Sequence, residues 1–198
     1  MTVDRFDPGP QPAGRAPAPG RLGLVQAFLN SFWDLDTHGA EVWAGPAEYG
    51  AWLHERGLAA PAAATAGDLA RALEAREALR ALALANHDRG PAPAADAVLD
   101  RIAADVAPGA GLAPRFAGGP PRLDVSADGP DAALALVLGI VFAARADGTW
   151  ARLKACPHER CGWAFYDRSR NRSSQWCSMR ICGNRTKGAR HRARGAPR

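Results

Sequence analysis

Apolar residues recur at helical spacing along most of this chain, beginning at Leu22. The run Leu22-Gly-Leu-Val-Gln-Ala-Phe-Leu-Asn-Ser-Phe-Trp predicts a first buried helix. Pro46 stands where a second can begin, with Tyr49, Trp52 and Leu53 on one face before Gly57 stops it. Asp68 is placed to N-cap a longer helix reaching about His87, and Asp96 to Val106 reads as another, ended by Pro108-Gly109. Extended pieces at Arg115-Phe116 and Arg122–Val125, separated by Gly-Gly-Pro-Pro, predict a hairpin. Asp131 opens the most apolar helix, through Ala144, and Gly148 breaks it. The fold class is therefore mainly α (α+β). A helical N-terminal domain over about 21–150 with a short β-hairpin precedes a small cysteine-bearing domain over 151–198. Residues 1–20, rich in proline and glycine with almost no aliphatic side chain, read as a disordered leader.

Composition adds a compartment. Hydrophobic residues make up 47% of the 198 positions, enough for a sizeable core. No window approaches the roughly 18 uninterrupted apolar residues of a membrane span, and the N-terminus lacks the basic-then-apolar order of a secretion signal. A cytoplasmic protein without a membrane partner is expected.

Charge divides the chain. Residues 150–198 hold 13 Lys and Arg against 2 Asp and Glu, a net of +11, whereas 1–149 hold 12 against 18, a net of −6. An acidic folded domain joined to a basic, anion-seeking tail has this asymmetry. Within the 68–87 helix, Arg76 and Arg80 point into the arc of Leu69, Ala72, Leu73, Leu79 and Ala83. An arginine there either snorkels, joins an ion pair, or anchors an anion-binding pocket, and Arg76 lies nearest the centre.

The four cysteines of the chain fall at C-x4-C-x15-C-x4-C: Cys156, Cys161, Cys177 and Cys182. Two short-range pairs closed by a loop supply the four soft ligands of tetrahedral Zn2+. Disulfides are disfavoured in a cytoplasmic chain whose core needs no staples. Four thiolates close the shell, so one structural zinc ion is expected, with His158 and His191 as bystanders.

The stretch Cys156-Pro-His-Glu-Arg-Cys161-Gly-Trp-Ala-Phe165-Tyr-Asp167-Arg-Ser169-Arg170-Asn171, followed by Trp176-Cys177-Ser178-Met179-Arg-Ile-Cys182-Gly183-Asn184-Arg185, resembles the CGNR zinc finger. In that family the finger follows an ABATE domain, described as a stress-induced transcription regulator. Phe28-Leu29-Asn30-Ser31, Gly45-Pro46 with Trp52-Leu53, and Arg76-Glu-Ala-Leu79-Arg80 resemble ABATE elements, with Ser31 and Ala75 departing from the common pattern. The resemblance implies a bacterial DNA-binding regulator. Asn30 and Arg76 are the candidate contacts for a small anionic effector, and a homodimer is a further open partner.

A helix from about Cys182 would put Cys182, Thr186, Ala189 and Ala193 on one face and Lys187, Arg190, His191 and Arg194 on another. The loop 167–175 adds Arg168, Arg170 and Arg172, and the family motif adds Arg185. These seven basic side chains, excluding His191, are the candidate nucleic-acid contacts. Trp163, Phe165 and Trp176 read as the finger's small core. Two functions stand: a zinc-finger DNA-binding transcription regulator with a helical sensing or dimerisation domain, or a zinc-stabilised docking module for protein or RNA. No nucleophile elbow, phosphate loop or acid/base pair points to an enzyme.

Overall fold

The computed structural model describes residues 6–33, 40–58, 64–116 and 121–188. It is mainly α with a small β component. The elements are α1 Leu22–Leu29, β1 Phe32–Trp33, β2 Ala40–Glu41, α2 Pro46–Glu55, α3 Ala66–Ala85 and α4 Pro93–Ala110. There follow β3 Leu112–Arg115, β4 Arg122–Val125, α5 Pro130–Ala146, β5 Leu153–Ala155, β6 Ala164–Tyr166 and a π-helical turn, Met179–Gly183. Among the described residues the strands form three two-stranded antiparallel sheets, β1-β2, β3-β4 and β5-β6.

The predicted elements differ from the observed ones mainly at their ends. The first helix stops at Leu29 rather than running to Trp33. Asn30 leaves it because its side-chain amide spans the backbone of Ala164, donating to the carbonyl at 2.9 Å and accepting from the N–H at 2.7 Å. Phe32 and Trp33 then pair with β2. Thr65, not Asp68, is the N-cap of α3. Asp68 is the third helical residue, and the two close a capping box, Asp68 N donating to Thr65 Oγ1 at 3.2 Å and Thr65 N to Asp68 Oδ2 at 2.8 Å. Helix α4 runs through Pro108 to Ala110 and ends on the left-handed Gly111, since a proline in the last turn removes few helical bonds.

Helices α1 and α5 form the centre. All eight residues of α1 are buried, and α5 buries ten of its residues, from Ala132 to Ala144. Trp43 closes one end of this core, with ring centroids 4.9 Å from Phe28 and Tyr49 and 5.2 Å from Trp52. Phe28 and Leu29 on α1, Leu79 on α3, Ile102 on α4 and Leu136 on α5 belong to the same cluster.

Hairpin β5-β6 joins this core to the cysteines, and its alternation explains how. Leu153, Ala155, Ala164 and Tyr166 belong to the helical core, whereas Phe165 belongs to a second cluster with the four cysteines. Asn86 at the end of α3 donates to the carbonyls of Trp150 and Leu153, and the His87 ring meets that of Ala155.

Residues 6–20, expected to be a disordered leader, lie as a strap across α1 and the cysteine cluster. Periodicity could not show this, because the strap is held by scattered side-chain bonds rather than a repeating pattern. Gln11 Oε1 accepts from Gln26 Nε2 at 2.8 Å and from the Trp163 indole at 3.1 Å, while Arg15 donates to the backbone carbonyls of Trp176 and Cys177. Gly23 lets the Phe6 carbonyl approach α1 so closely that a Cβ would collide with it.

Candidate metal centre and the basic surface around it

Two local turns present the four sulfurs. In the first, Cys156 N donates to the Trp163 carbonyl at 2.9 Å and Cys161 N to that of His158 at 2.9 Å. Backbone N–H groups of His158 and Trp163 also favour charge on the Cys156 and Cys161 sulfurs. In the second, Ser178 caps the π-helical turn by accepting from Ile181 N, and its carbonyl receives the N–H groups of Cys182 and Gly183. The turn is wider than α by one residue and carries Cys182 back toward Cys177.

All four sulfurs are buried and lie within 4.8 Å of one another. Tetrahedral zinc with bonds of about 2.3 Å separates its sulfurs by roughly 3.8 Å. The Cys161–Cys177 and Cys177–Cys182 spacings of 3.6 Å fit that geometry without rearrangement. Electrostatics agree. Hydrogen bonds from Cys161 and Cys177 lower the Cys156 thiol, hydrogen bonding to Cys156 raises Cys177, and burial raises Cys182. A bound zinc would replace these sulfur-to-sulfur hydrogen bonds with metal–thiolate bonds. The donor set suits one Zn2+ ion, which would act as a scaffold inside a complete thiolate shell. His158 is turned away from the cluster, its Nδ1 accepting from Arg160 N at 3.2 Å.

Beside the metal centre lies an ion pair that sequence reasoning missed. Lys154 is 1% exposed and Asp167 0%, and they meet at 3.0 Å. Lys154 Nζ also donates to the carbonyls of Arg172 and Ser174, and Asp167 accepts from the N–H groups of Ser169 and Ser174. Burial works against the Asp167 charge, but these donors outweigh it and hold the carboxyl well below the usual carboxylate range. Together the pair fastens the whole 167–174 loop. Asp167 was legible as a capping residue. Lys154 had one visible signal, a lysine among arginines flanked by Leu153 and Ala155 in a strand facing two cores.

Of the candidate nucleic-acid contacts, Arg168, Arg170, Arg172, Arg185 and Lys187 are all exposed. Arg168 rests over the Tyr166 ring at 5.5 Å and donates to the Pro17 carbonyl of the strap at 2.9 Å. Arg172 adopts φ 53, which turns its carbonyl inward to Lys154 while its side chain stays outside. Arg190 and Arg194, with His191, lie outside the described residues. Trp163 and Trp176 pack on the cysteine cluster around the buried Phe165.

The effector candidates are placed differently. Arg76 is 4% exposed and forms a two-pronged contact with Glu41, at 2.8 and 2.6 Å, while bonding Glu77 and the Ser31 hydroxyl. Its guanidinium also stacks 5.0 Å from the Trp43 ring. The ion-pair account of this arginine thus has the geometry, with four of its five N–H groups bonded within the chain. Asn30 holds the Ala164 backbone with both ends of its amide. Arg80 binds the carbonyls of Leu29, Phe32 and Gly162, so it ties α1 and α3 to the first cysteine turn.

The comparisons with known proteins follow these boundaries. The CGNR zinc finger profile matches residues 152–195, containing all four cysteines. The ABATE profile, described as "Putative stress-induced transcription regulator", matches residues 22–147, more than half of the chain. The chain belongs to the ABATE family. No curated protein matches it. The ABATE region comprises α1 through α5, and hairpin β5-β6 of the CGNR finger packs against its α1 and α3. The strap, outside both matched segments, is the third component of that contact. Neither family is one of enzymes, and among the described residues no helix is long and apolar enough to cross a membrane.

Proposed function

We propose that this protein is a DNA-binding transcription regulator whose CGNR finger, residues 151–198, grips the phosphate backbone while the helical domain, residues 21–150, senses a signal or dimerises. The observation that carries the reading is the sorting of charge in the finger. Its two acidic residues are Glu159 and Asp167. Asp167 is buried and neutralised by Lys154, so Glu159 is the only exposed acid among the finger's described residues. Against it stand Arg168, Arg170, Arg172, Arg180, Arg185 and Lys187, all exposed. A zinc centre and a buried ion pair hold the loops that carry them, so the positive field has a fixed shape rather than a solvated tail's average.

Fluorescence anisotropy with a labelled duplex tests this. Neutralising about five phosphates gives a slope of log K against log[salt] near −4 to −5. Arg170→Glu with Lys187→Glu should weaken binding and flatten the slope. Binding indifferent to both salt and these reversals would overturn the proposal, and preference for a protein or single-stranded RNA partner would favour the docking reading. Genome-wide capture of DNA with the intact protein would then name the operator.

A further inference from the structure

The basic positions legible as a helical stripe did not include Arg180 or Asn184, yet these two line a surface cleft with Ile181, Arg185 and Gly188. We infer that this cleft, about 440 Å³ in volume, is a phosphodiester-binding site, with Arg180 and Arg185 on the phosphate oxygens and the Asn184 amide as a third donor. The inference rests on the DNA-binding reading and assigns the place where one backbone phosphate is held.

Three observations converge on it. The lining carries two guanidinium groups and no acid, and Arg180, Asn184 and Arg185 are each exposed. Gly188 contributes no side chain to the cleft, so its lining on that side is backbone alone. The wall is also anchored by the metal centre. Arg180 and Ile181 lie within the π-helical turn, between Cys177 and Cys182, and Cys182 is fully buried behind them. Ser178 caps that turn, and the Thr186 hydroxyl donates to the Cys182 carbonyl at 3.0 Å. The π-helical turn places Arg180 and Asn184 along the same cleft on an anchored backbone, which lowers the backbone ordering cost of binding.

The test uses the full-length zinc-loaded protein and a fluorescein-labelled 20-bp duplex. The double variant Arg180→Ala, Arg185→Ala should bind roughly tenfold or more weakly, with a salt slope shallower by about 0.9, one phosphate contact. Asn184→Asp is nearly isosteric and puts a carboxylate in the cleft, so it should weaken binding more than Asn184→Ala. Zinc content and thermal midpoint matching wild type would separate these effects from misfolding. If the double variant does not fold, Asn184→Asp decides alone. Wild-type binding with an unchanged slope in the double variant and wild-type affinity in Asn184→Asp would overturn the cleft while leaving the DNA reading intact. A wild-type protein that binds no duplex at low salt would overturn both.

Discussion

The two cores of this protein are built on different physics. The ABATE core gathers buried side chains from five helices, and one end is closed by the aromatic contacts of Trp43, beside which Arg76 pairs with Glu41. The finger core has four cysteines and Phe165 as its buried members. Apolar burial stabilises the first at about 25 cal/mol per Å². The second has too little apolar area for that, and metal bonds and one buried ion pair replace it. The same contrast governs arginine. Arg76 and Arg80 of α3 are largely buried and bonded within the chain. In the finger, by contrast, the guanidinium groups of Arg168, Arg170 and Arg172 face outward on a loop whose backbone Lys154 and Asp167 organise.

Removing the metal should break this comparison most severely. Structural zinc contributes about 10–16 kcal/mol of apparent binding energy in finger peptides. A chelator, or Cys177→Ser, should unfold the finger and abolish duplex binding while far-UV circular dichroism keeps most of the helical signal. Cooperative loss of all helix would instead mean that the two cores fold as one. Acid should act in the same direction, since protons compete with zinc for the sulfurs and binding of the metal weakens as pH falls.

A smaller effect is expected at the buried pair. Lys154→Met leaves the Asp167 carboxylate without its cation and should cost about 3–5 kcal/mol, read as a lowered midpoint with the finger's tryptophan fluorescence as probe. Replacing both partners by apolar residues should not restore stability, because Asp167 also receives the Ser169 and Ser174 N–H groups. The carboxyl is held below its unfolded value of 3.8, so its contribution is fully present at neutral pH. That contribution is lost only as pH falls below about 4 toward the folded value, later in an acid titration than the metal.

In the helical core, Arg76→Met should cost about 1.5–3 kcal/mol through the lost charge-assisted bonds to Glu41. It should leave zinc content and duplex affinity unchanged. An anionic ligand whose thermal shift vanishes in that variant would reopen the pocket account. The smallest effect is expected at exposed apolar positions. Phe142→Gln, at a side chain 67% exposed, should stay within about 0.5 kcal/mol of wild type.

Much of this molecule was legible because its signals are local. Periodicity located the five helices described, and turn residues the β3-β4 hairpin, since burial repeats every few residues. It missed the short β1-β2 and β5-β6 pairs, the strap and helix ends such as Asn30, where distant parts of the chain take over. Cysteine spacing located the metal centre because short loops fix the distances between ligand pairs. Charge count showed that the finger is basic, and its loop, motif and helical stripe named Arg168, Arg170, Arg172, Arg185 and Lys187, all exposed, but missed Arg180. Tertiary structure alone decided which polar groups remain available to a ligand. Arg76 meets Glu41 from 35 residues away, and Arg15 reaches Cys177 across 162. Lys154 finds Asp167 only because β5 and β6 pair. Spacing encodes which residues share a local face, whereas a buried charge is matched by whatever the returning chain brings beside it, and that pairing leaves no period in the sequence.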